Sequence, residues 1–256
     1  MSAPPPPWKN IAVTRHGAVT EALVHTDGGP LVYGATVHRE IVELADWLRT
    51  DETTRVLVFG GTGDRFCTEI DTDSYRGESW HRIWVEGRRG PAGLLDLDIP
   101  MIAAVNGPAT YHSELPMLAD IVLACPEATF ADHAHFTKGI VPGDGVQTVW
   151  RNLVGPSRAT YHLLTGAELD AAEARRIGVV HEIHPRAELL ARAHALAAPM
   201  AALPVETLMY TRTALRAPDR RLFSEELSHG LALAGLEMFL TGKRTVSVPE
   251  AHEGPR

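Results

Sequence analysis

The stretch "IPMIAAVNGPATYHSELPMLADIVLACPEATFAD", residues 99–132, decides how this chain is read. Residues 101–105 are five apolar positions in a row, bounded by Pro100 and Asn106. A short apolar run with such flanks marks a strand buried on both faces of a parallel sheet. Residues 121–124 repeat the pattern. Loops between such strands are where sites are built, and glycines usually let the backbone come close to a ligand there. This loop carries Tyr111, His112, Ser113 and Glu114 instead. A bulky histidine in that place asks for a chemical reason.

Outward from this segment the two halves of the chain read differently. Toward the N-terminus, residues 11–15 and 18–25 predict two strands around a turn at Gly17. Residues 36–49 place Val37, Ile41, Leu44, Ala45 and Leu48 on one stripe, predicting a helix with Thr36 as its N-cap. "VLVF", residues 56–59, closed by "GGTGD", predicts a second buried parallel strand, and a helix is expected over 80–95. Toward the C-terminus come a strand in "ATFA", 128–131, the glycine-rich "KGIVPGDG", 138–145, and helices from Gln147, Ser157 and Asp170. A late strand is expected in "VVHEIH", 179–184. From 186 the pattern is helical, in stretches 186–198, 203–216 and 219–241. Leu227, Leu231, Ala234 and Met238 form an apolar stripe there, suited to a partner element or subunit.

Alternating strands and helices followed by helices alone predict an α/β architecture with a C-terminal helical layer. The expected divisions are a disordered proline-rich lead over 1–10, a core over 11–185, a helical region over 186–242 and a flexible tail over 243–256. A net charge of −8 argues against a nucleic-acid binder, whose footprint would be basic. No window approaches the roughly 18 apolar residues of a membrane span, and "MSAPPPPWKN" lacks the apolar core of a signal peptide. A cytoplasmic protein is the default expectation. Cys67 and Cys125 read as free buried thiols.

Several chemistries drop out by pattern. "GGTGD" and "PGDG" match neither the dinucleotide fingerprint nor the P-loop. No G-x-S-x-G elbow supports a serine hydrolase, and Ser113 beside His112 is the only serine candidate. His133 and His135 form an H-x-H pair without a third ligand nearby, so no metal is expected. Ten further histidines, among them His16, His38 and His194, show no special context. His112, His135 and Asp144 all lie in loops at strand ends or glycine turns. A histidine held by a carboxylate is a general base poised near neutral pH. On spacing alone the three are either a site or unrelated polar loop residues.

The segment quoted above, together with "VLVFGGTGDRFCTEID" (56–71) and "GIVPGDGVQTVWRNLVGPSRATYHLLTGAELDAAEARRIGVVHEI" (139–183), resembles the crotonase, or enoyl-CoA hydratase/isomerase, superfamily. The resemblance runs from about residue 10 to 241. It implies a spiral of ββα units with a C-terminal helical trimerisation region, assembled as a homotrimer or a dimer of trimers. It also implies an oxyanion hole of two backbone N–H groups, here those of Thr68 and His112. The chain departs from the hydratase pattern "NGxxxGGGxE": His112 stands at the glycine that donates its N–H, and Leu115 at the catalytic glutamate. The second hydratase glutamate falls near Ala134 or His135. In "F-x-A-G-x-D", Glu69 replaces a glycine close to coenzyme A in relatives.

These departures are similar to the β-diketone hydrolase branch typified by oxocamphor hydrolase, whose loop reads like "NGPxTxHxE", its base segment like "xxHF" and its turn like "GIVPGDG". That likeness implies cofactor-independent cleavage of a carbon–carbon bond in a 1,3-diketone, with roles on His112, His135 and Asp144. The branch also uses a glutamate in the final helix. Ala234 stands at that position here, and Glu237, one turn on, is the residue left to substitute. An apolar diketone pocket would draw on Tyr33, Phe66, Trp80, Trp84 and Phe136. The alternatives are other enolate chemistry in the same fold (a lyase, an isomerase or a thioester enzyme) or a non-catalytic binding subunit. The resemblance also supplies a reason for the histidine. A small diketone has no thioester handle, and a side-chain donor at His112 would help hold its developing oxyanion, an effect worth on the order of 3 kcal/mol.

Overall fold

The computed structural model describes residues 4–242. The lead expected to be disordered is tied down from Trp8 onward. Trp8 packs edge-on against Trp47 with ring centres 5.9 Å apart and donates its indole N–H to Glu43. The Lys9 and Asn10 amides donate to the Glu40 carboxyl at 2.7 and 2.9 Å. The expected tail, 243–256, lies outside the described residues.

Strands β1 (Ile11–His16) and β2 (Val19–Val24) form the expected hairpin, in full antiparallel register around Gly17. A short β3 (Leu31–Tyr33) leads into helix α1 (Ala35–Thr50). The N-cap is Gly34, not Thr36, which sits inside the first turn. The free amide of Ala35 is taken instead by the hydroxyl of Ser74, 39 residues away, a cap that no local pattern reveals. Strand β4 (Val56–Gly61) runs two residues past the apolar run, because Gly60 and Gly61 pass where side chains would strike Ala104 and Asn106. Strand β5 (Cys67–Ile70) pairs in parallel with β3. Neither β3 nor β5 was expected, since both are too short to show periodicity.

Helix α2 (Trp80–Leu95) follows, capped by Ser79, then β6 (Met101–Val105), the single-turn α3 (Glu114–Met117) and β7 (Ile121–Ala124). The expected strand in "ATFA" shrinks to β8 (Thr129–Phe130). Helices α4 (Val146–Val154) and α5 (Pro156–Thr165), the bridge strand β9 (Leu169–Asp170), α6 (Ala171–Arg176) and a two-residue β10 (Glu182–Ile183) complete the core. Helix α7 (Arg186–Ala201) precedes α8 (Val205–Thr241). Two helices were expected where α8 runs unbroken through Pro218. Proline removes one hydrogen bond and crowds the preceding turn. Ion pairs bridge the spot: Arg212 and Arg216 both reach Asp120, and Arg216 also holds Asp219.

The main sheet has the order β1-β2-β4-β6-β7-β10, parallel apart from the first hairpin. Helix α7 covers one face over Val19, Val56, Val58, Ile102 and Leu123. The other face carries the larger core, to which Phe59, Phe66, Leu94, Leu95 and Trp150 contribute fully buried side chains. In open parallel sheets ligands bind beyond the carboxyl ends of the strands. Here those ends, at Gly61 and Val105, feed the loops 62–66 and 106–113.

Candidate active site

The two loops are built as one unit. The Asn106 amide donates to the carbonyls of Thr62, Gly63 and Arg65 at 3.0–3.1 Å. Gly107 passes so close to the Asp64 carbonyl that a Cβ would overlap it. The Thr110 and Tyr111 amides both donate to the Cys67 carbonyl, at 2.9 and 3.1 Å. The next residue along each strand of this knot is Thr68 on one side and His112 on the other. His112 has φ = +51°, one of two described non-glycine residues with positive φ. That left-handed conformation costs on the order of 1–2 kcal/mol for a side-chain-bearing residue, which explains a glycine as the ordinary occupant. Its ring stacks on Tyr33, centres 3.6 Å apart and planes at 27°.

The second half of the site comes from the segment after β8 and the turn before α4. Gly143 meets the backbone of Gly230 in α8 with no room for a Cβ on Gly143, which sets Asp144 against that helix. Asp144 then stands between the two imidazoles. Its Oδ2 is 3.3 Å from His135 Nε2 and 3.6 Å from His112 Nδ1. The series continues outward: His135 Nδ1 is 2.8 Å from Asp132 Oδ1, and His112 Nδ1 is 2.9 Å from Glu114 Oε1. Carboxyl and imidazole groups thus alternate from Asp132 through His135, Asp144 and His112 to Glu114.

Electrostatics follow from that alternation. Burial disfavours charge on His135, but Asp144 and Asp132 outweigh it and raise the pKa well above 6.5. Burial likewise opposes charge on Asp144, yet His135 foremost and then His112 hold it well below the usual carboxylate range. His112 is raised, with burial opposed by Glu114 and Asp144 and helped by repulsion from His135. Glu114 is raised by burial and then by Asp144, against the pull of His112. Its Oε2 is buried without a partner among the described residues. Burial also pushes the Cys67 thiol, behind the knot, up to about 12, so it is no nucleophile.

Beside these groups opens a cavity of about 190 Å³, lined by His112, His135 and Asp144 and walled by Ile70, Tyr75, Trp80, Ile83, Leu231, Ala234 and Met238. The aromatic expectations divide. Trp80 lines the cavity, and Tyr33 sits behind His112, lining only a small adjoining pocket. Phe66 is fully buried against Phe59, Trp84 packs on the core, and Phe136 is 48% exposed; none of these three lines the cavity. Glu237 does not line it either, although its neighbours Ala234 and Met238 do; its carboxyl accepts from Thr241. Thr68 is likewise absent from the lining. The Ser113 hydroxyl accepts the Trp150 indole N–H at 3.0 Å, and His133 turns away to the Gly166 carbonyl.

Four residues escaped the sequence reading. Asp132 and Glu114 were passed over as loop acids, and His135 is held by Asp132 at Nδ1 as well as by Asp144 at Nε2. Tyr75 carried no signal. His38 is on the cavity wall with its Nδ1 on Glu86 at 3.1 Å, and its place on the inner stripe of α1 was the available clue. His112, Glu114 and Asp144 offer three ligand atoms within 4.8 Å, close enough for one cation.

The Enoyl-CoA hydratase/isomerase family profile matches residues 34–233. Among solved structures, the chain is similar to a β-diketone hydrolase from the cyanobacterium Anabaena sp. PCC 7120 bound to (S)-3-oxocyclohexyl acetic acid. That likeness has a TM-score of 0.88 and 36% identity over 92% of this chain and 96% of the other. An enoyl-CoA hydratase/isomerase from Mycobacterium paratuberculosis follows, with a TM-score of 0.80 and 26% identity over 90% and 93% of the two chains. Among curated proteins, the carnitinyl-CoA dehydratase of Proteus mirabilis is 30% identical over 74% of this chain and 73% of its own.

Proposed function

The chain belongs to the enoyl-CoA hydratase/isomerase family, and on that premise we propose that it hydrolyses a carbon–carbon bond of a 1,3-diketone by a retro-Claisen reaction. The observation that carries this reading is the meeting of His112, Asp144 and His135 at one end of an apolar cavity. The positions of the two hydratase acids hold Leu115, buried in the core, and Ala134 or His135. Water cannot be added to an enoyl thioester by two glutamates that are absent. The 36% identity to a β-diketone hydrolase supports the same reading, while the 30% identity to a carnitinyl-CoA dehydratase favours the thioester alternative.

The steps use the groups on hand. A water oxygen bonds to one ketone carbon as neutral His135, its Nδ1–H donated to Asp132, takes the water proton on Nε2, and Asp144 Oδ2, 3.3 Å from that nitrogen, steadies the imidazolium that forms. The carbonyl oxygen, now negative, accepts a hydrogen bond from His112. The bond between that carbon and the central carbon breaks, and its electron pair passes through the central carbon onto the second carbonyl as an enolate. His135 returns the proton to the central carbon, leaving a carboxylic acid and a ketone, joined as one keto acid when the diketone was cyclic. The second carbonyl is the electron sink, so the reaction calls for no metal or organic cofactor. A positioned base contributes roughly 10²–10⁴-fold and an oxyanion donor about 3 kcal/mol. The exposed apolar side chains of α8, Leu233, Leu236, Phe239 and Leu240, support assembly as a homotrimer or dimer of trimers.

Incubation with cyclic and bicyclic 1,3-diketones in ¹⁸O-labelled water tests the reading. Label is expected in a new carboxylate. Brisk hydration of crotonyl-CoA with every diketone untouched would overturn it in favour of thioester chemistry.

A further inference from the structure

Far from the cavity, on the face of the sheet that α7 covers, two histidines without sequence context meet a glutamate. The hairpin register pairs His16 with Val19 and Thr14 with Glu21. Side chains two apart on a strand share a face, so His16 and Glu21 are diagonal neighbours, which long side chains can bridge. Val19 on that same face is buried under α7, beside Ala193. The next residue of the helix, His194, therefore stands over Glu21 and places Nε2 2.7 Å from its Oε2. The His16 ring lies 4.5 Å from the His194 ring, centre to centre, at 61°. His16 has no hydrogen-bond partner for its imidazole among the described residues. One ligand atom from each of the three residues falls within 4.8 Å of the others.

We infer that His16, Glu21 and His194 form a binding site for a divalent transition-metal ion of the zinc class, clipping α7 to the N-terminal hairpin. Two imidazoles and one carboxylate are a donor set that zinc, nickel and copper take and that magnesium and calcium do not favour. Bonds of about 2.0–2.2 Å at tetrahedral angles put ligand atoms about 3.3 Å apart. The His194–Glu21 contact must open slightly to reach that spacing, and His16 must swing in, which an exposed end-of-strand side chain can do. The three ligands come from β1, β2 and α7, so the site needs the folded chain. Three protein ligands leave a fourth position to water on the exposed side.

Protein stripped with EDTA and dialysed is titrated with zinc chloride by calorimetry, and thermal unfolding is followed with and without zinc. One zinc ion per chain and a raised Tm are expected. His16→Ala and His194→Ala should each weaken binding at least about tenfold while keeping the zinc-free Tm, and Glu21→Gln should weaken it less. His112→Ala separates this site from the catalytic cluster and should bind zinc as the unaltered chain does. The inference fails if no saturable zinc binding occurs, if His194→Ala binds undiminished, or if only His112→Ala loses the ion. None of these readouts depends on the reaction the enzyme catalyses.

Discussion

At the scale of single residues, the site is a question of where protons rest. His135 carries carboxyl groups on both ring nitrogens, and its raised pKa favours the protonated form. In the proposed reaction the base form of His135 exists only above that pKa, so kcat/KM should climb as pH rises through a value above 6.5. Asp144→Asn removes the leading favourable charge and should move this limb toward lower pH, with a fall in kcat; an unmoved limb in a pH–rate profile would assign it to another group. The same shift has a sign for stability. The contribution of protonated His135 is fully present below about 6.5 and is lost as pH rises through the folded pKa. His135→Ala should lower kcat on the order of 10²–10⁴-fold, measured on any diketone the native enzyme opens. Glu114→Gln keeps an acceptor at His112 and removes a charge that raises its pKa. The His112 imidazole should then titrate at lower pH by NMR, whereas a packing role for Glu114 would leave that titration in place.

At the scale of elements, the site depends on a helix and a turn touching through glycines. Gly143 and Gly230 let the backbone before α4 meet α8, and Asp144 is the next residue. Gly143→Ala must push the turn or the helix away, since the obstacle is backbone and cannot rotate aside. A loss on the order of 1–3 kcal/mol is expected for such overpacking, read as a lower Tm. The fall in kcat should exceed any change in KM, because Asp144 moves relative to both imidazoles. An unchanged Tm would show that the contact yields at no cost. Trp80 and Gly235 make a similar close pair at the cavity wall, so the width of the cavity is also set by α8.

At the scale of the whole molecule, α8 leaves large apolar side chains in water. Leu236, Phe239 and Leu240 are 52–72% exposed near its end. Exposed apolar patches of this kind mark association surfaces. Light scattering at micromolar concentration should give a mass of three or six times 27.8 kDa. Phe239→Glu with Leu236→Glu should shift that mass toward one chain. A monomeric unaltered protein would leave the face of α8 without a function.

What the amino-acid sequence determined by itself is the order of layers and the unusual loop. Runs such as 56–59 and 101–105 are apolar throughout, and only a strand covered on both faces buries every one of those side chains. The resemblance of "NGPATYHSE" to the family loop implies that a histidine has taken a glycine's place, and His112 does hold a left-handed φ. Contacts between distant segments were decided by tertiary structure alone. Ser74 capping α1, Asp132 on His135, Glu114 turned inward onto His112 and the Gly143–Gly230 contact leave no periodic trace. Nor could sequence separate Trp80, which lines the cavity, from Phe66, which is sealed in the core. Periodicity reports which face of an element is apolar; it does not report whether that face meets another side chain or a space. That difference rests on the relative placement of α8, the sheet and the loops, which packing of the whole chain sets.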